Sequence, residues 1–140
     1  MKKINKIIQR MNKKANLIDN IYKTLEKKGF DTSFINKLKD NYFNDKQISY
    51  LTSIKYGING QQQMDEEDWN KLVSLIYADL SVEQIKMITK LIIRGRSDEQ
   101  IELVEKYDLN PEEIAIVDQN FFDTNESLEQ AETWIKRYLF

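Results

Sequence analysis

The chain has 140 residues, 41% of them hydrophobic, and a formal net charge of −2. This length is sufficient for one domain with its own apolar core. The chain contains no Cys and no His, which excludes disulfide bonds, thiolate metal sites and histidine general bases. We therefore expect a single domain over residues 1–140 that is not an enzyme and that uses no cofactor.

Charge is distributed unevenly along the chain. Residues 1–40 contain 11 Lys/Arg against 4 Asp/Glu, whereas residues 61–140 contain 8 Lys/Arg against 18 Asp/Glu. Within residues 97–132, Lys106 is the only base and faces 12 acids. Such an asymmetry bears on partners and association rates rather than on the fold.

The first predicted element is a long helix over about residues 3–28. Its apolar residues recur every three or four positions, and Gly29 can adopt the left-handed conformation that ends a helix. These apolar residues are Ile4, Ile8, Met11, Ala15, Ile18, Tyr22 and Leu25. The stripe predicts a basic amphipathic helix within 1–29 that packs on the rest of the domain or, as the alternative, closes a homodimer through a coiled-coil seam.

A nine-residue motif follows, in copies at residues 43–51, 80–88 and 109–117. Looser copies begin at Met64, Arg96 and Glu126. Each copy places Ser, Asn or Asp three residues before Gln, Glu or Asp, and an apolar anchor comes next. Ser, Asn or Asp followed by Gln or Glu at this spacing forms a capping box, which satisfies the free N–H groups of a first helical turn.

The motif predicts an all-α fold, a compact bundle of about eight helices. Helices two and three occupy residues 30–60, and an acidic array of short helices occupies residues 64–140. Helices after the first are predicted to begin at Asp31, Asn44, Asp65, Ser81, Ser97, Asn110 and Ser127. The predicted buried anchors are Ile48, Trp69, Ile85, Ile101 and Ile114.

Two segments have the outline of a nucleic-acid-binding element. Residues 80–117 resemble a trihelical helix-turn-helix, but the helix predicted over 110–122 has no Lys or Arg, so phosphates would repel it. The first helix is the alternative nucleic-acid-binding element. Its candidate residues are Lys6, Arg10, Lys13 and Lys14.

Two acidic segments were considered as metal sites. Residues 118–129 have carboxylates at the first and twelfth places of a calcium loop but lack the sixth-position glycine and place Phe122 at a ligand position. Residues 65–68 are explained as a helix start, where carboxylates complement the helix dipole. No metal site is predicted.

Helix starts account for many of the acids in residues 97–132, but not for all of them. Among the acids that helix starts do not explain, we predict that four bind a partner protein: Glu102, Glu105, Asp118 and Glu132. As exposed charges, they are expected to contribute little to stability.

The phrases at residues 80–85, 95–101 and 109–114 are similar to short-helix repeats in accessory proteins of phages and conjugative elements of low-GC Gram-positive bacteria. The resemblance covers about residues 80–117, with a weaker echo at 43–57. It implies a mobile-element accessory protein, a class that includes anti-CRISPR proteins. No functional residue is carried over, because the matching positions are architectural.

Together these features predict an inhibitor that binds another protein. In its most concrete form, it is an anti-CRISPR-like protein whose acidic helical face occludes the basic nucleic-acid-binding groove of a CRISPR effector nuclease. The alternatives are a nucleic-acid-binding regulator and a structural helical dimer. No apolar stretch approaches the roughly 20 residues of a membrane span, so the expected location is the bacterial cytosol.

Overall fold

The computed structural model describes residues 20–58 and 60–140. All regular secondary structure in these residues is helical, which confirms the predicted all-α fold. The α-helices are α1 (20–27), α2 (Ser33–Asp40), α3 (Asp45–Tyr56), α4 (Glu66–Leu75), α5 (Val82–Ile93), α6 (Asp98–Lys106), α7 (Pro111–Val117) and α8 (Leu128–Tyr138). A π-helical turn, Asp118–Phe122, directly follows α7.

The chain divides into two compact units, Met1–Met64 and Asp65–Phe140. The described helices of the first unit are α1 to α3, and those of the second unit are α4 to α8. The boundary falls at the start of the predicted acidic array. The expectation of a single domain over 1–140 stays a prediction.

The predicted capping boxes form as complete reciprocal pairs. At the start of α5, the Gln84 backbone N–H donates to Ser81 Oγ at 3.0 Å, and the Ser81 backbone N–H donates to Gln84 Oε1 at 2.8 Å. The other boxes are Asn44 with Gln47, Ser97 with Gln100, Asn110 with Glu113, and Ser127 with Gln130. Asp65 caps α4 alone, by accepting from the Asp68 N–H.

The helix ends explain why the next capping residue follows so closely. After α5, Gly95 adopts φ +81°, and the Arg96 N–H donates to the Leu91 carbonyl at 3.0 Å. Ser97, the cap of α6, is the next residue. The same three-residue link is built on Tyr42, Asp108 and Asn125, each with positive φ. The link closes one helix and caps the next without a longer loop.

The anchors predicted from the motif are buried. Ile48 belongs to the core of the first unit, and Trp69, Ile85, Ile101 and Ile114 belong to the core of the second. In the second unit, α4 packs against α5 and α6, α5 against α7, and α6 against α8. Each short helix therefore buries its apolar face against its neighbours, as the repeat pattern predicts.

Three boundaries differ from the sequence-based expectation. The helix predicted over 110–122 ends as an α-helix at Val117 and continues as the π-helical turn. The cap of α2 is Thr32 rather than Asp31, whose carboxylate accepts instead from the Ser33 N–H at 2.9 Å. Of the long first helix, only residues from 20 onward are described. Gly29 ends it with φ +79°, as expected.

Candidate functional site: an acidic patch around Tyr77

The four acids predicted to bind a partner occupy different environments. Glu102 is exposed on α6, and Glu105 is half-buried one turn further along. Asp118 and Glu132 both form ion pairs within the second unit. The four carboxylates therefore do not form one free acidic face.

Asp118 is the largest departure from the predicted exposure. Only 3% of the residue is exposed, and its oxygens accept from Arg94 Nη1 at 2.5 Å and Arg96 Nε at 2.7 Å. Arg96 also pairs with Asp123 at 3.3 Å. These bonds join the end of α5 to the π-helical turn. Asp118 thus has a structural role, and the expectation that it is an exposed binding charge is wrong.

Glu132 joins α6 to α8. Its Oε1 accepts from the Tyr107 hydroxyl at 2.7 Å and from Lys106 Nζ at 3.0 Å, and Lys136 Nζ lies 3.6 Å away. The hydrogen bond from Tyr107, followed by that from Lys106, lowers the pKa of Glu132 to about 2. Its charge is balanced within the molecule, so Glu132 is a poor candidate for binding a partner.

Arg94 and Arg96 line a polar cleft of about 530 Å³ beside the π-helical turn. The other residues of the cleft are Ala115, Asp118, Gln119 and Asp123. Sequence reasoning missed both arginines as structural residues, although they flank the helix-ending Gly95. Both are paired with carboxylates, so the cleft carries no strong excess of either charge.

Unbalanced acids lie around Tyr77, in the link between α4 and α5. Tyr77 is 41% exposed. Its burial, followed by the charges of Glu105, Asp108 and Asp79, raises the pKa of its hydroxyl. Glu102 in turn acts on Glu105. We name these five residues the Tyr77 patch. None of the four carboxylates forms an ion pair with a described residue.

Glu105 has the most perturbed environment in this patch. Its Oε1 is buried and has no hydrogen-bond partner among the residues that the structure describes. It lines a small depression together with Leu80, Ile88 and Ile114, which are apolar. Burial, followed by the charge of Glu102, raises the pKa of Glu105 to about 7.

Sequence reasoning found Glu102 and Glu105 of this patch but missed Tyr77, Asp79 and Asp108. Asp108 was hidden because it lies in a helix link, where its φ of +47° serves the turn. Its Oδ1 also accepts from Gln84 Nε2 at 3.0 Å. The sequence signal for Tyr77 was weak: it is an aromatic residue between the helix starts predicted at Asp65 and Ser81.

The alternative nucleic-acid-binding residues, Lys6, Arg10, Lys13 and Lys14, lie outside the described residues. Among the residues that are described, no group of three or more carboxylates is arranged to hold a metal ion. Within the same ranges, no helix combines the length and apolarity needed to cross a membrane.

Comparison with protein-family models, with curated proteins and with solved structures gave no match to this chain. The resemblance of residues 80–117 to short-helix repeats of mobile-element proteins therefore stays a prediction.

Proposed function

We propose that the protein binds another protein through the Tyr77 patch, without catalysing a reaction, and that the partner inserts a Lys or Arg side chain there. The observation that carries the proposal is the half-exposed Tyr77, whose hydroxyl lies within the fields of Glu105, Asp108 and Asp79. Glu102 acts on Glu105, and none of these four carboxylates has an ion-pair partner among the described residues. By contrast, Asp118 and Glu132, which join elements of the second unit, each form an ion pair with a base of the chain.

The chemistry of the patch favours a basic protein surface over other partners. Nucleic-acid phosphates would be repelled by Asp79, Glu102 and Asp108, and by Glu105 where it is ionised. A cationic side chain would balance these charges, and the ring of Tyr77 offers a face for a cation–π contact. Basic surfaces of this kind often bind nucleic acid, so occupation of such a groove would make the protein an inhibitor. An anti-CRISPR-like role is the narrowest form of this proposal.

The test compares two variants with the same change in net charge. The patch variant carries Asp79→Asn, Glu102→Gln and Asp108→Asn, and asparagine tolerates the left-handed conformation of residue 108. The control variant carries Glu99→Gln, Glu112→Gln and Glu126→Gln, which are exposed acids outside the patch. Each protein is immobilised, exposed to host lysate, and its bound proteins are identified by mass spectrometry.

We expect a basic protein to bind the wild type and the control variant but not the patch variant. Its association should slow between about 50 and 500 mM salt, since the screening length then falls to a few ångströms. Equal retention by both variants would place the binding surface elsewhere. Equal loss from both would reduce the effect to net charge, and the Tyr77 patch would then have no specific role.

A further inference from the structure

The first unit presents three aromatic rings that come from three different elements. Phe30 follows the left-handed turn at Gly29, Phe34 lies in the first turn of α2, and Tyr56 ends α3. The ring centroids of Phe30 and Tyr56 are 4.4 Å apart, and those of Phe34 and Tyr56 are 5.8 Å apart. The Tyr56 hydroxyl donates to the Asp31 carbonyl, which fixes the orientation of its ring. We name Phe30, Phe34 and Tyr56 the aromatic cluster.

The aromatic cluster is not the core of this unit. The core is built from aliphatic residues that are almost fully buried, namely Leu25, Ile35, Leu38, Ile48, Leu51 and Ile54. By contrast, Phe30 is 40% exposed, and the other two rings are only partly buried. Contacting rings at a surface are the usual features of a binding site for flat ligands.

Lysines lie near the aromatic cluster in space or in sequence. Lys55 Nζ lies 5.4 Å from the centroid of Phe34 and 5.6 Å from that of Tyr56. Lys27 and Lys28 directly precede the turn that carries Phe30, and Glu26 comes just before them. Asp31 has a lowered pKa, mainly because it accepts from Ser33 and also because Lys55 and Lys37 are near. These four lysines outnumber the two acids, Glu26 and Asp31.

We propose that the aromatic cluster and its lysines bind single-stranded nucleic acid. Phe30, the most exposed ring, would stack on a base with Tyr56 packed against it, and the lysines would contact the adjacent phosphates. This combination is how proteins bind single strands without reading sequence. A duplex keeps its bases stacked on one another and offers no free base face to these rings. A single strand offers phosphates to the lysines and a base to the exposed ring. An acidic peptide would also pair with the lysines but would leave the ring exposed, so we favour the single strand.

This proposal concerns the first unit alone and does not depend on the Tyr77 patch. It also differs from the prediction of binding by Lys6, Arg10, Lys13 and Lys14, since the fold brings rings from α2 and α3 to the C-terminal end of the basic helix.

The test measures fluorescence anisotropy of labelled oligothymidylate and oligouridylate, each about 15 nucleotides long, with the full-length chain. Phe30→Leu keeps an apolar side chain but removes the aromatic face. We expect it to weaken binding about tenfold, as loss of one stacked base would. The matched control is Tyr42→Leu, which removes an exposed aromatic residue of the same unit outside the cluster and should leave affinity unchanged.

A second pair of variants tests the charge contribution. Changing Lys27 and Lys28 to Gln should reduce the salt dependence of binding, whereas Lys46→Gln, an exposed lysine of α3, should not. If Phe30→Leu lowers the melting temperature, Lys55→Gln tests the same surface with all three rings in place. The two oligonucleotides separate a DNA ligand from an RNA ligand.

Three results would overturn the proposal. The first is no binding to either oligonucleotide at low salt. The second is an equal loss of affinity in Phe30→Leu and Tyr42→Leu. The third is tighter binding to a duplex than to the single strand, which would point to phosphate contacts without stacking. In the first case, binding of a protein but of neither oligonucleotide would assign this surface to a protein partner.

Discussion

Three described residues other than glycine adopt the left-handed conformation: Tyr42, Asp108 and Asn125. Asp and Asn tolerate this region because their short polar side chains bond locally, whereas a tyrosine pays the full steric cost of its Cβ. Tyr42 has φ 69°, and its side chain is 87% exposed, so packing offsets little of this strain. The strain persists because the link between α2 and α3 requires that conformation.

We expect Tyr42→Gly to stabilise the protein by about 0.5–1 kcal/mol, since relief of the left-handed strain exceeds the added entropy of the unfolded chain. The measurement is the free energy of unfolding in urea. Tyr42→Ala serves as the control, because it removes the ring but keeps the Cβ and should show no gain. A glycine variant less stable than the alanine variant would contradict the strain argument.

Glu105 makes stability dependent on pH. Its pKa rises from the ordinary value of 4.5 to about 7 in the folded chain. The folded state therefore keeps a proton that the unfolded state releases. This contribution to stability is fully present below about pH 4.5 and is lost as pH rises through about 7.

Glu105→Gln should therefore become more stable than the wild type as pH increases from about 4.5 to about 7, with the difference constant above that range. Urea melts at closely spaced pH values measure this difference. Glu112→Gln, an exposed acid at the start of α7, should leave the shape of the pH profile unchanged. A wild-type profile parallel to that of Glu105→Gln would show that Glu105 does not titrate in this range.

At the scale of elements, the end of α5 is held to the π-helical turn by ion pairs. Asp118 is the first residue of that turn, and both of its oxygens accept from arginines on either side of Gly95. A π-helical turn displaces the following residues relative to an α-helix, and such turns are rare. The paired carboxylate holds one end of this irregular segment.

We expect Arg96→Ala to cost about 1.5–3 kcal/mol, because it removes the better-buried of the two charged hydrogen bonds to the Asp118 carboxylate, while Arg94 stays paired. Arg94 is half-exposed, so Arg94→Ala should cost less than half of that. Lys106→Ala, which breaks an exposed pair with Glu132, should cost the least of the three. The measurement is urea unfolding, and equal losses in all three variants would contradict the role assigned to burial.

At the scale of the whole molecule, the chain combines two units with cores of their own. The acidic unit spans residues 65–140, a length at which many domains fold alone. We expect a fragment of residues 65–140 to be helical and to unfold cooperatively in urea, with circular dichroism as the readout. Within the fragment, Ile85→Ala should cost about 2–5 kcal/mol, since Ile85 is fully buried.

A fragment that is unfolded, or that melts without cooperativity, would instead support the single domain over residues 1–140 that the sequence predicts. A cooperative fragment that also retains the basic partner protein would assign protein binding to the acidic unit. Binding of single-stranded nucleic acid should be absent from that fragment, because the aromatic cluster belongs to the first unit.

Helix starts were predictable because capping is local. A Ser or Asn and the Gln or Glu three residues later complete their hydrogen bonds within one turn, so the chain alone specifies them. The anchors after each cap were predictable for the same reason, since their position follows from helical periodicity. Gly29 was likewise predictable as a helix end, and it adopts the left-handed conformation with φ 79°.

The roles of the acids depended on the tertiary structure. Asp118 and Glu132 were predicted to be free charges because their hydrogen-bond donors lie 22 to 26 residues away in sequence. The Tyr77 patch and the aromatic cluster each combine residues from different elements, brought together only by packing. Local hydrogen bonds and periodicity thus determined the helices of this protein, whereas the folded chain alone decided which charges are paired with one another, because the partners come from distant parts of the sequence.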